Sequence, residues 1–143
     1  MPKPNDVGVG VAIVLLSEDD KVLLLQRRGS HRQGCWAVPG GWVERSDTTL
    51  ESAAIREAQE ETGISVQRCY FLCHTTEDHP EIGIRSVTMY MISFPGDWTG
   101  TATILEPNKC SDMRWFSLVK ANALPENMFP GLDEALRIAG QSV

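Results

Sequence analysis

The chain has 143 residues, 42% of them hydrophobic and 22% charged, with 13 Lys and Arg against 19 Asp and Glu for a formal charge of −6. That suits a single domain, 1–143, with enough apolar content for a buried core, and it excludes the broad basic surface that holds a nucleic-acid polymer. No apolar run reaches membrane-spanning length and Met1 to Asp6 shows no signal-peptide pattern, so a cytoplasmic chain without a membrane partner is expected.

Val7 to Leu16 is β-branched and aliphatic with Gly8 and Gly10 interspersed, which predicts a strand approached closely by something else. A polar turn at Ser17 to Lys21 and a second strand at Val22 to Gln26 read as a hairpin with it. Gly29 to Gly34 is a loop carrying Arg32, and Trp36 to Val38 is a short extended run stopped by Pro39-Gly40-Gly41. Thr48-Thr49-Leu50-Glu51 reads as a capping box with Thr48 as N-cap, opening a helix from Thr49 to Thr62 with Gly63 just past its end. Ile64 to Thr75 reads as strand, Thr76 to Gly83 as a polar loop, and Ile84 to Phe94 as strand. A turn at Pro95 to Gly100, a loop at Glu106 to Asp112, a strand at Met113 to Phe116 and a helix at Leu132 to Ala139 follow. Strands interleaved with two helices suggest α/β layers with a mixed sheet.

Cys35, Cys69, Cys73 and Cys110 form no Cys-x-x-Cys pair, so a zinc site built from Cys69, Cys73, His74 and His79 is weakly supported. The plainer expectation is free thiols, with Cys69 and Cys73 on one strand face as small apolar residues.

The densest chemistry lies in the first helix. Glu57, Glu60 and Glu61 stand at i, i+3 and i+4 and share one face. Like charges at that spacing repel, and Gly63 places them at the negative pole of the helix. They are either a solvated acidic face or a hard-oxygen site for a divalent cation such as Mg²⁺ or Mn²⁺.

Gly40-Gly41 followed by Arg56-Glu57-Ala58-Gln59-Glu60-Glu61-Thr62-Gly63-Ile64 resembles the signature of the Nudix hydrolases. That signature reads Gly, five residues, Glu, seven residues, Arg-Glu, an aliphatic, any residue, Glu-Glu, any residue, Gly, an aliphatic. Here Gly41 and Arg56 stand one residue further apart. The position of the early Glu is Thr48, with Asp47 one residue before it, and the aliphatic after Arg-Glu is the small Ala58. The resemblance implies an α/β/α sandwich with a mixed β-sheet, catalysis at Arg56, Glu57, Glu60 and Glu61, and a metal held by those three glutamates and the Gly40 carbonyl. It also implies that Arg56 faces away from Glu57 and pairs with an early acid. Asp47 is the candidate partner, and Glu60 one turn on is the other.

A second stretch is similar to the MutT-like plant and animal Nudix nucleoside triphosphate diphosphatases: Glu106-Pro107-Asn108-Lys109-Cys110, Trp115-Phe116, Leu124-Pro125, and Phe129 to Leu132, with Val7-Gly8-Val9-Gly10-Val11 at the start. Asn108, Met113 and Pro130 depart from that pattern. The similarity implies a base pocket lined by Thr88, Phe129 and Leu132, with backbone contacts from Ala37 and Val38 and a phosphate contact from Arg27. Arg28 is the poorer match of the Arg pair. Phe129 is either a stacking plate or a core aromatic, and Glu106 is either a fourth acid near the metal or a solvated loop residue.

The activity so implied is Mg²⁺-dependent pyrophosphohydrolysis of nucleoside triphosphates, including oxidised or surplus ones, by a monomer or homodimer. Nucleoside diphosphate sugars, ADP-ribose or dinucleoside polyphosphates are the alternative substrates. A non-catalytic nucleotide-binding module is a remote third reading.

Overall fold

The computed structural model describes residues 2–29, 31–120 and 122–143. The elements are β1 (Val7–Leu15), β2 (Lys21–Arg27), β3 (Trp36–Ala37), β4 (Gly40–Trp42), α1 (Leu50–Thr62), β5 (Ser65–Val66), β6 (Tyr70–His79), β7 (Ile84–Ser93), β8 (Trp98–Thr99), β9 (Cys110–Ser117) and α2 (Leu132–Gly140). A mixed four-stranded sheet has the order β4-β1-β7-β6, with β1 parallel to β7 and antiparallel to β4. An antiparallel sheet β3-β2-β9 and the short pair β5-β8 complete the framework. Among the described residues, no helix is long and apolar enough to cross a membrane.

The layering follows from the side-chain alternation of strands. Val11, Ile13 and Leu15 of β1 point to the side packed by Ala53, Ala54 and Ala58 of α1. Ala12 and Val14 point to the other, with Leu132, Ala135, Leu136 and Ala139 of α2. β2 divides the same way, Leu23 and Leu25 on the first side and Val22 and Leu24 on the second. A strand buried on both faces needs an unbroken apolar run, which is what β1 shows. Each fully buried Ile or Leu contributes roughly 1.5–3 kcal/mol against its exposed state. The α2 stripe at i, i+3, i+4 and i+7 is the pattern of a helix laid on a core.

Several boundaries differ from the sequence reading. β1 and β2 are linked by the Leu16–Val22 bridge and then enter different sheets, because β1 takes β4 and β7 as neighbours instead. The run at Trp36 does end before Pro39, but Gly40 and Gly41 open a new strand. They form β4, and a Cβ on Gly40 would strike the Val11 carbonyl, so only glycine lets β4 lie that close to β1. The helix cap sits one residue later than Thr48: the Thr49 hydroxyl accepts from Ser52 N at 3.0 Å, and Ser52 Oγ accepts from Thr49 N at 3.0 Å. Serine closes the box where Glu51 was expected. The strand expected from Ile64 to Thr75 is two strands, and β6 runs on to His79 through residues expected to be loop. Cys69 precedes β6 and packs on the α1 side, whereas Cys73, beyond a bulge, packs on the α2 side, so they share no face. All four cysteines are free.

Candidate active site

α1 is closed at its C-terminus by Gly63 in the left-handed region at φ 75°, its N–H donating to the Gln59 carbonyl at 3.0 Å. Because Ala53, Ala54 and Ala58 set the packed face, Glu57 comes to lie over β4. Glu57 is only 8% exposed. A Cβ on Gly41 would fall 2.5 Å from its carboxylate, so the second glycine makes room for an acid. Gly40 N–H donates to Glu61 Oε1 at 3.3 Å, fastening the next acid to the same strand. Glu60, one turn from Arg56, faces solvent.

Arg56 ties the cluster together. Its Nε and Nη2 donate to the two Asp47 carboxylate oxygens at 3.0 and 2.9 Å, and Nη2 also reaches the Trp42 carbonyl at 3.3 Å. Its Nη1 meets Glu57 Oε1 at 2.9 Å and, more weakly, Glu60 Oε2 at 3.4 Å. Arg56 therefore does not face away from Glu57, contrary to expectation. Its reach spans one turn of helix and the loop above it, so it serves Asp47 and Glu57 at once. These bonds hold Asp47 below the usual carboxylate range, Arg56 acting first and the Glu44 backbone N–H second. They raise Arg56 above its ordinary value, chiefly through Asp47.

Glu61 differs. Burial pushes its carboxyl well above the usual carboxylate range, a hydrogen bond and the charge of Glu57 push it further, and Glu106 adds to the effect against the pull of Gly40 N–H. Glu106 thus stands near the cluster, its own carboxylate 3.5 Å from Lys109 Nζ. The donor chemistry fits a hard divalent cation: oxygens only, at least three of them charged, crowded so that two acids already touch. Glu57, Glu60 and Glu61 would hold it, the first two in exchange for part of their contact with Arg56.

A second group gathers around Phe129. Phe129 lies outside both core clusters and is half-buried. Its N–H donates to the Trp36 carbonyl at 2.8 Å, fixing it beside β3. The Arg27 guanidinium sits over its ring at 5.2 Å, and the His79 and His31 rings lie 5.6 and 6.3 Å from it. Burial lowers the affinity of Arg27 for its proton, and the charge of Glu61 raises it. Arg28 turns instead to the Pro107 carbonyl at 3.2 Å. Val38 and Leu132 belong to the core beneath, Ala37 pairs with Leu25, and Thr88 is 8% exposed on β7.

Sequence reasoning missed His31, Arg32 and the partners of Thr88 on β6. The alternation Thr75, Glu77, His79 was a usable period-two signal, hidden because its inward residues are polar. Among the described residues, His31, His79 and Glu81 bring three donor atoms within 4.8 Å of one another. Arg32 occupies two of those residues, at 3.3 Å from His79 Nδ1 and 3.6 Å from Glu81 Oε1, so a cation there would face a guanidinium.

A family model for the NUDIX domain matches residues 6–137. The chain belongs to the Nudix family. It is 44% identical over 50 residues to an ADP-ribose pyrophosphatase of Methanocaldococcus jannaschii, a match covering 35% of this chain and 29% of that protein. It is 29% identical over 113 residues to the NAD-capped RNA hydrolase NudC of Shigella dysenteriae, covering 79% of this chain and 40% of that protein. The matched segments thus span well under half of these curated Nudix relatives. Among solved Nudix structures, a MutT hydrolase from Burkholderia pseudomallei superposes with a TM-score of 0.81 at 27% identity, covering 92% of this chain and 96% of that one.

Proposed function

We propose that the protein hydrolyses nucleoside triphosphates between the α- and β-phosphates, releasing a nucleoside monophosphate and pyrophosphate with Mg²⁺ or Mn²⁺ as cofactor. The observation that carries this reading is the guanidinium of Arg27, 5.2 Å over the Phe129 ring, with the charge of Glu61 supporting its protonated form. A cation-binding acid cluster, a guanidinium and an aromatic ring in that order match a metal-bound polyphosphate, its bridging charge and a nucleobase.

Glu57, Glu60, Glu61 and the Gly40 carbonyl would hold the cation, which would supply charge neutralisation on phosphate and activation of water. The protein's own groups do the rest. Arg27 offers its Nη donors to phosphate oxygens, its charge kept despite burial because arginine does not deprotonate in proteins. Phe129 provides a π face that tolerates several bases. Arg56, through Asp47 and Trp42, holds the loop that presents Gly40 and aims Glu57. A carboxylate of the cluster, with Glu106 as the one supplied from outside α1, accepts the proton of the attacking water.

The 44% identity to an ADP-ribose pyrophosphatase favours a second reading, in which ADP-ribose or a nucleotide sugar is cleaved. Incubation of the pure protein with Mg²⁺ and a panel of nucleoside triphosphates, ADP-ribose, nucleotide sugars and dinucleoside polyphosphates decides between them by product identification. Monophosphate with pyrophosphate is the expected pair. Inertness toward every triphosphate, with ADP-ribose giving AMP and ribose phosphate, would overturn the first reading in favour of the second.

A further inference from the structure

β6 and β7 place Thr75 beside Thr88 and Glu77 beside Ser86, on the sheet face that α2 covers. Glu77 is 5% exposed there, and its nearest partners are hydroxyls. Ser86 Oγ donates to Glu77 Oε2 at 2.8 Å, Thr88 Oγ1 donates to the same oxygen at 3.0 Å, and the Thr75 hydroxyl donates to Oε1. A hydroxyl has one proton and a carboxylate only accepts, so the polarity of all three bonds is fixed.

The consequence spreads outward. Ser86, its proton committed to Glu77, accepts from His79 Nε2 at 3.0 Å. Burial, and then the charge of Arg32, keep His79 inclined to the neutral form. Its proton therefore sits on Nε2, and Nδ1 accepts from Arg32 at 3.3 Å. A buried polar chain runs from Arg32 through His79 and Ser86 to Glu77, with every member satisfied.

Thr88 bonds the same Glu77 oxygen as Ser86 from outside that chain and keeps 8% of its surface exposed. Gly131, at φ 88°, packs directly over Glu77 and Thr75, where any Cβ would collide with both side chains. Gly10, the β1 partner of Thr88, leaves a methyl-sized gap: a Cβ there would lie in ordinary contact, 3.6 Å from the Gly41 carbonyl oxygen and 3.7 Å from Thr88 Oγ1. With its proton given to Glu77, the Thr88 oxygen turns lone pairs only toward that gap.

We infer that Glu77 is a specificity-determining positioning residue: by taking the only proton of Thr88 it makes that oxygen an obligate acceptor, selecting nucleobases that present an exocyclic amino group over those that present an oxo group. This rests on the reading of the Phe129 side of the cleft as the base site. A donor-to-acceptor mismatch leaves two oxygens facing each other in a dry site, which discriminates more strongly than a missing methylene.

The test compares kcat/KM for ATP against ITP and CTP against UTP, by pyrophosphate release, in the wild-type protein and in Glu77→Gln, Thr88→Val and Gly10→Ala. The wild type should prefer the amino member of each pair by about tenfold, the worth of one well-placed hydrogen bond. In Glu77→Gln the amide nitrogen can donate to Thr88, whose proton then turns to the pocket, so the preference should vanish or invert, with the change falling on KM. Thr88→Val should equalise each pair, and Gly10→Ala, which meets no clash, should raise KM for all four nucleotides by filling the space. Absence of an amino preference in the wild type, or its survival in Thr88→Val, overturns the inference even if Glu77→Gln does not fold. Should triphosphates prove inert and ADP-ribose be cleaved, the same ratio is read between ADP-ribose and its hypoxanthine analogue. Failure of the triphosphate reading is then separate from failure of this one.

Discussion

Arg56 grips Asp47 with two parallel hydrogen bonds of 3.0 and 2.9 Å across the loop that joins β4 to α1. The Asp47 side chain is only 5% exposed, so this pair is shielded where a surface ion pair would be screened. The added residue in that loop and the shorter acid compensate each other. The contact with Glu60 exists too, at 3.4 Å, so the two partners open to Arg56 in the sequence coexist, with Asp47 the closer.

Removing Arg56 or Asp47 by alanine should lower stability by about 1–3 kcal/mol, the range for charge-assisted bonds left with an unpaired partner. Because Arg56 holds the folded-state pKa of Asp47 below its unfolded value, this stabilisation is complete above about pH 4 and is lost as pH falls through the folded value. Urea unfolding of wild type and Asp47→Asn between neutral and acid pH checks this: the wild-type curve should fall more steeply below about pH 4. Parallel curves would remove Asp47 as the source.

Glu61→Gln separates function from folding. The amide keeps the acceptor for Gly40 N–H but removes the charge beside Glu57. Metal-free Glu61→Gln should be at least as stable as the wild type at neutral pH, because burial and Glu57 both disfavour the charged form that the amide removes. Its hydrolysis should fall by about a hundredfold or more, since a charged metal ligand contributes several kcal/mol. Near-wild-type turnover would dismiss the cluster as the metal site.

Gly41→Ala is predicted to act through Glu57. The new Cβ, 2.5 Å from the carboxylate, forces that side chain away from Arg56 and from its place over β4. The fold should persist while apparent Mg²⁺ affinity drops by about 10–100-fold, the usual effect of disturbing the support of a ligand. Metal titration of activity measures this, and an unchanged midpoint would refute it.

Phe129→Ala removes stacking without touching the acids. KM should rise for every nucleotide by a similar factor, about tenfold for one aromatic plate, with kcat little altered. A fall in kcat alone would show that Phe129 serves the chemistry and not the base.

The acid cluster was legible in the sequence because it is local. Glu57, Glu60 and Glu61 share a face by helical spacing alone, and Gly63 ends that helix by its left-handed backbone. β1 was legible as a strand from its β-branched and aliphatic residues, and Gly8 and Gly10 marked it as closely approached. The cap at Thr49 and the end of β6 at His79 did not show, since a serine closes as well as a glutamate and a polar strand mimics a loop.

Sequence by itself determined the acids, the glycines and the helix that carries them, because neighbours along the chain are enough to order charges one turn apart. Tertiary structure alone decided what those groups meet. Arg27 reaches Phe129 across 102 positions because β2 and the start of α2 close on the same cleft. Thr88 gives its proton to Glu77 because β6 and β7 pair in that register. No periodicity encodes such contacts: they arise when burial forces separate strands to share one core, and buried polar groups must then find partners among whatever that packing brings near.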